Sequence, residues 1–353
     1  MFETFGFENL TAPQAAVYAG LILGALFGAL AQITRFCFRR AVVGDDRREA
    51  AGVWLTALAL AILGTQFMAM NGRIGFGDHR FMATDLPVAA IAIGGLLFGA
   101  GMVLTRGCVS RLTVLTGSGN LRALLVLVVF ATTAHATLKG VLAPLRSALG
   151  NYTVALDNAA LPGAGPILAV VLAALLLSQA ARSGARPLHL VLAGFIGLIA
   201  ASGWAVTGYV LYDDFDPIAL ESLSFTLPAA ETLFWGIASS AVSPTFGTGL
   251  WGGVIAGAAT AALIRGEFRW QSFETPRQTG RYMAGAVLMG VGGVLAGGCT
   301  VGAGLSGVPT LSIAAVLALL SIGTGGWISG RMLSEGAASS AGSSATRSLQ
   351  PAE

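Results

Sequence analysis

The sequence predicts an all-α polytopic membrane protein, with about nine transmembrane helices and short re-entrant half-helices arranged as two inverted-topology repeats. Three observations carry this expectation. Of the 353 residues, 55% are hydrophobic and only 10% charged, where a soluble chain carries about a quarter. Apolar runs of about 20 residues recur from end to end, the length that crosses a bilayer as a helix. One glycine–cysteine motif recurs along the chain and holds all three of its cysteines.

The spans follow in order. Hydropathy places them at about 13–34, 49–69, 86–105, 122–143, 165–181, 187–210, 247–264, 280–297 and 309–330. Ahead of the first, Met1–Asn9 carries Glu3 and Glu8 and no basic residue, so it does not read as a signal peptide. Basic residues then alternate between connections. One set holds Arg35, Arg39, Arg40, Arg47 and Arg48, then Arg106, Arg111 and Arg122, then Arg182 and Arg186, then Arg265, Arg269, Arg277 and Arg281, and finally Arg331. The other set holds only Arg73, Arg80 and Arg146, and residues 212–246 have no Lys or Arg. The positive-inside rule therefore expects the N-terminus outside and the C-terminus in the cytoplasm. The Ser-, Ala- and Gly-rich tail, 334–353, is expected to be disordered.

The motif reads "GALFGALAQITRFCFRR" (24–40), "GLLFGAGMVLTRGCVSR" (95–111) and "AVLMGVGGVLAGGCTVG" (286–302). In each copy a glycine stands nine residues before the cysteine: Gly28 and Cys37, Gly99 and Cys108, Gly290 and Cys299. A degenerate fourth copy without cysteine is "LAGFIGLIAASGWAVTGY" (192–209). The motif spans are the first, third, sixth and eighth, so the first two and the last two run in opposite directions. The expected organisation is a first repeat at 1–150, a connector with a reversing span at 151–186, and an inverted second repeat at 187–333. Inverted repeats mark transporters, whose sites lie where broken helices meet. Stretches too short to span follow each cysteine, at 38–44, 109–119 and 300–308, and a fourth is expected at 219–232. Such backbone survives at membrane depth only when buried in protein or lining a cavity.

With these motifs in view the sequence resembles the YeeE/YedE sulfur-transport family. "GGVLAGGCTVGAGLSGVPTLS" following "FRWQSFETPRQTGRYMAGAVLMG", together with "LLFGAGMVLTRGCVSRL", carries the resemblance, which covers about residues 15–330. It implies a bacterial inner-membrane protein, not an enzyme, that takes up thiosulfate or a related inorganic sulfur anion. The family also includes members linked to other sulfur or selenium species. The resemblance further implies a narrow path lined by cysteines, here Cys37, Cys108 and Cys299, and a cytoplasmic sulfur-carrier or rhodanese-like partner. No cofactor, metal or nucleic acid is expected. Three cysteines without CxxC spacing suggest neither a disulfide framework nor a zinc site.

The candidate path residues are Cys37, Cys108, Cys299, Arg106, Gly107, Gly298, Thr300, Gly99 and Gly290. A neutral thiol is a weak donor with a soft sulfur, and a conduction path needs sites weak enough to release what they bind. The competing reading is a membrane sulfurtransferase whose thiolate attacks the outer sulfur of the anion, leaving a persulfide and releasing sulfite. That reading needs a positive neighbour, and Arg35 and Arg106 stand two residues from Cys37 and Cys108. Arg35, Arg106 and Arg111 read either as topology signals that snorkel at the inner face or as anion attractors at its mouth. His135, an ionisable group within a span, is a candidate by default, with Lys139 on the same helix face. Glu221 and Glu231 read as solvated groups or as caps of the proposed half-helix. Thr105, Thr226, Thr300 and Ser306 are candidate neutral anion contacts. No nucleotide-binding motif is present, although a dianion moving against 100 mV costs roughly 5 kcal/mol, at about 2.3 per charge.

Overall fold

The computed structural model describes residues 10–213 and 216–347, with side chains through residue 334. Eight helical segments in it are long and apolar enough to cross a membrane. They contain α1 (Ala12–Thr34), α3 (Arg47–Met70), α4 (Val88–Leu104), α6 (Leu121–Lys139), α9 (Pro187–Ala205), α11 (Phe246–Ile264), α12 (Pro276–Leu295) and α13 (Ile313–Arg347). Short helices fill in the order: α2 (Phe38–Val43), α5 (Val109–Gly117), α7 (Ala143–Gly150), α8 (Pro166–Ala181) and α10 (Thr226–Ile237). Of the tail expected to be disordered, the backbone of 334–347 continues α13, and residues 348–353 lie outside the described ones.

Where ends differ from the sequence expectation, proline and local caps decide. The fifth expected span is α8, whose 16 residues give about 24 Å at 1.5 Å per residue, short of the ~30 Å hydrocarbon core. α12 starts four residues before its expected position, because Thr275 caps it by accepting from Gln278 N and Pro276 fits the first turn. The half-helix expected at 219–232 is α10, displaced to Thr226–Ile237. Pro228 is tolerated only in a first turn and so fixes that start. α13 begins at Ile313 because Val308–Thr310 is a 3-10 turn and Leu311 is left-handed at φ 59°.

Among the described residues the backbone hydrogen bonds between connections stay within one charge class. On the arginine-rich face Arg269 N donates to Ser118 O and Leu121 N to Gln271 O. On the arginine-poor face β1 (Asp85–Leu86) pairs antiparallel with β2 (Val154–Ala155), and Leu161 N donates to Leu311 O. The alternation of arginines therefore reports a real segregation of loops to two ends of the bundle.

Each cysteine follows a backbone break of one design. Arg35 (φ 53°), Arg106 (φ 59°) and Gly297 (φ 72°) are left-handed, and each stands two residues before a cysteine. Phe36 N reaches back to Ala31 O and Gly107 N to Met102 O, both at 3.0 Å. These are the six-to-one bonds that close a Schellman cap and satisfy the carbonyls a broken helix would orphan. A non-glycine residue in this conformation costs about 1–2 kcal/mol.

Glycines set how closely the helices pack. α1 and α11 run parallel in register: Gly20, Gly24 and Gly28 lie over the carbonyls of Phe246, Leu250 and Val254, and Gly249, Gly253 and Gly257 over those of Val17, Leu21 and Ala25. A Cβ at Gly28 would come 2.2 Å from Val254 O. In lipid there is no hydrophobic drive between helices, so close backbone packing of this kind holds them together. The same contact recurs where Gly197 of α9 meets Ala57 O of α3, Gly99 of α4 meets Ile322 O of α13, and Gly290 of α12 meets Phe130 O of α6. α4 and α12 cross antiparallel through two reciprocal pairs, Gly94 with Gly292 and Gly101 with Gly285.

Two outcomes follow. Gly253→Leu, whose Cβ would sit 2.2 Å from Leu21 O, should abolish accumulation of monodisperse protein in detergent extracts. Gly252→Leu, which would meet only Leu21 Cδ1 at 3.8 Å, should accumulate like wild type. Arg106 is exposed and left-handed, so Arg106→Gly should unfold at or above the wild-type temperature, relieving about 1 kcal/mol of strain. Arg106→Val should unfold several degrees lower. Equal losses in both would show that the side chain, not the backbone, is needed.

Candidate functional site

Each cysteine is the residue that opens a new helical turn after its break: Cys37 before α2, Cys108 before α5, and Cys299 before a π-helical segment, Thr300–Gly307. All three are free thiols, 4, 1 and 0% exposed respectively. Cys108 is the hub. Its sulfur lies 3.2 Å from Ser110 Oγ, and its side chain interacts with Cys37 on one side and Thr300 on the other. Cys299 Sγ accepts from Gly302 N at 3.4 Å and interacts with Cys108 and with the backbone of Phe225, the residue that opens α10. Breaks from distant parts of the sequence thus converge, with the N-termini of α5, α10 and the π segment gathered round the thiols. Unpaired N–H groups at such ends favour negative charge. Phe27 links the two sides, with ring centroids 6.1 Å from Phe36 and 5.6 Å from Phe225.

The candidate hydroxyls divide by what they already bind. Thr105 Oγ1 is committed to the carbonyls of Gly101 and Gly107, each at 2.9 Å, and holds the α4 break closed. Ser306 Oγ donates to Leu223 O at 2.8 Å. Thr226 and Ser224, by contrast, have buried hydroxyls with no hydrogen-bond partner among the described residues, and the buried hydroxyl of Thr300 has only the Cys108 thiol near it. Leaving such a group unsatisfied costs about 1–3 kcal/mol, a cost that a polar solute passing here would relieve.

A cavity of about 550 Å³ opens beside Cys299. Its lining comes from the α3–α4 connection (Ile74–Phe81), the end of α9, the 218–228 segment, and Gly302 and Ser306 of the π segment. Arg80 and Glu221 both line it. The charge of Arg80 interacts with Glu221, then Cys299, then Glu231. At the other end of the cysteine row, Arg111 Nη1 donates to Ala31 O and Gln32 Oε1, both at 3.4 Å, and its charge interacts with Cys37 and Cys108. The row therefore runs from Arg80 past Cys299, Cys108 and Cys37 to Arg111.

Several sequence expectations change. Arg111 turns inward and is half-buried, whereas Arg35 and Arg106 are exposed and serve the breaks through their backbone. Gly99 and Gly290 sit at helix crossings, because a motif glycine is needed where two backbones touch. Gly107 and Gly298 do adjoin the thiols, and a Cβ at Gly298 would lie 2.9 Å from Ala303 N. His135 stacks on Phe234 at 5.0 Å, away from the cysteines. Neither acidic residue caps α10: Glu231 is within that helix and accepts from Thr245 Oγ1 at 3.4 Å, and Glu221 faces the cavity. Arg80, Ser110 and Ser224 were not anticipated. The usable signal for Arg80 was its place among the few arginines of the arginine-poor face, where the positive-inside rule gives it no reason to stand.

A family described as sulphur transport matches residues 33–328. The chain is 28% identical over 330 residues to the thiosulfate transporter TsuA of Spirochaeta thermophila, covering 88% of this chain and 97% of that protein. It is 27% identical over 348 residues to the thiosulfate transporter TsuA of Escherichia coli (strain K12), covering 88% and 94%. A multi-pass membrane chain whose family match takes in the three helix breaks and all three thiols belongs to the sulphur-transport family.

Proposed function

We propose that this protein imports thiosulfate across the bacterial inner membrane, along the row from Arg80 through Cys299, Cys108 and Cys37 to Arg111. The observation that carries this reading is the convergence of three buried thiols and several helix N-termini on Cys108. The names of the two relatives support the choice of substrate. Thiols suit the task because each is a weak donor to a soft, doubly charged anion. Several weak sites in series bind and release, where a buried guanidinium in mid-path would hold the dianion. The buried hydroxyls of Thr226 and Ser224, unpartnered among the described residues, and that of Thr300 beside Cys108 add neutral contacts near Cys299 and Cys108.

The helices fit two repeats at 1–150 and 187–333, related by a two-fold axis near the α4–α12 crossing. That relation pairs α1 with α9, α3 with α11, α4 with α12 and α6 with α13. It turns the α1–α11 contact into the α9–α3 contact and the α4–α13 contact into the α12–α6 contact, as the glycines support. Gly197 takes the motif position in the cysteine-free copy, nine residues before Val206. The N-terminus lies outside and the C-terminus inside. A cytoplasmic sulfur-carrier or rhodanese-like protein then meets the anion at the arginine-rich face.

In cells lacking other uptake systems, with thiosulfate as the sole sulfur source, Cys108→Ala should abolish growth at normal membrane expression. Cys37→Ala and Cys299→Ala should each slow it severalfold. Wild-type growth by the triple alanine variant would retire the path. After incubation with thiosulfate, purified protein should keep its mass. A stoichiometric gain of one sulfur atom, reversed by reductant and absent in Cys108→Ala, would replace the hydrogen-bonding path with a persulfide mechanism.

A further inference from the structure

The cavity beside Cys299 holds two opposite charges that do not neutralise each other by contact. Arg80 and Glu221 both line it, yet no ion pair joins them among the described residues, and the carboxylate of Glu221 receives no hydrogen bond there. Its backbone is pinned: Glu221 N donates to Thr207 Oγ1 at 3.0 Å, and that hydroxyl donates back to Glu221 O at 2.6 Å. The acid is held in place while its head stays free to change charge.

We propose that this cavity is a proton-linked docking site for a dianion, which settles on Arg80 as Glu221 takes up a proton from the solution on the arginine-poor face. The exchange balances simply: a carboxylate, a proton and a dianion become a carboxylic acid beside a bound dianion. With Glu221 ionised, the guanidinium is already offset and an arriving dianion meets a carboxylate. With Glu221 neutral, the positive charge of Arg80 faces the anion alone, and the acid gains an O–H that can donate to it.

The surrounding charges favour the neutral acid. Glu221 is faced by Arg80, His79 and Asp78 from the α3–α4 connection, by Tyr212 from its own segment, and by Glu231 from α10. Glu231 is in turn faced by Lys139 of α6. Burial, and then the like charge of Glu231, push the pKa of Glu221 up to about 7 against the opposing pull of Arg80. His79 is held neutral at this pH, since burial and then Arg80 lower its pKa to about 4. The charge change near neutrality therefore belongs to the carboxyl. A dianion would press it further toward the protonated form, and by linkage protons would tighten the dianion equally.

The identity of the dianion rests on the proposed thiosulfate uptake, but the proton linkage does not. The test uses the full chain in detergent, with thiosulfate and separately sulfate titrated calorimetrically between pH 6 and pH 8. With an acid that titrates at about 7 and must be protonated to admit the dianion, about half a proton is taken up per dianion at pH 7, and binding should be about tenfold tighter at pH 6 than at pH 8. Glu221→Gln should bind with no pH dependence, Glu221→Asp should keep the slope, and Arg80→Gln should lose binding of both anions. A flat wild-type profile, an unchanged slope in Glu221→Gln, or no binding of either anion would overturn the linkage. A sloped sulfate profile in protein that fails to carry thiosulfate into liposomes would leave the linkage standing and retire the substrate. Thiosulfate uptake with a flat profile would do the reverse.

Discussion

Everything in this protein depends on breaking helices inside a membrane without presenting bare backbone to lipid. A peptide group left unpaired in hydrocarbon costs several kcal/mol, so each break must be closed by its own cap and walled in by neighbours. The left-handed residue before each cysteine supplies the first. The glycine-faced helix pairs supply the second, because only backbones in near contact leave the break no lipid-facing side. Placing Arg35 and Arg106, rather than glycine, at two of these turns accepts local strain and keeps a charged side chain at the protein surface.

From this frame the chemistry of the row follows. At the three cysteine breaks the chain turns through the left-handed residue and the one after it, and the residue that follows, extended and with the next N–H groups open, is cysteine. The thiol thus sits where a helix end already favours negative charge, in the same buried cluster as the rings of Phe27, Phe36 and Phe225. On the proposed path the arginines stand at the two ends, Arg80 at one and Arg111 at the other. Attraction on that path would be strong at the mouths and weak in between, a profile suited to passage rather than storage.

Most of the helices were legible because an apolar run of bilayer length has few alternatives in water or in lipid. The cysteine positions were legible because one motif repeats. What escaped was tertiary. Nothing local distinguishes Gly99, which touches Ile322 O, from Gly107, which adjoins a thiol. The start of α10 was misplaced because a run of small residues hid the single rule that Pro228 imposes. His135 looked functional by its depth alone, and only its stacking on Phe234 gives it a quieter role. Arg80 and Glu221 lie about 140 residues apart in sequence, and no period or motif connects them before the chain has folded.

The pairing of α1 with α11 also sets a schedule for making the protein. Gly20 meets Phe246, a residue 226 positions later in the chain (246 minus 20). At about 5–20 residues per second of synthesis, the first helix waits on the order of 10–45 s in the bilayer before its partner exists. Its three-glycine face is a ready docking strip for any other small-residue helix during that interval. Assembly is therefore completed from the back, and the opening helix is among the last to be locked in place.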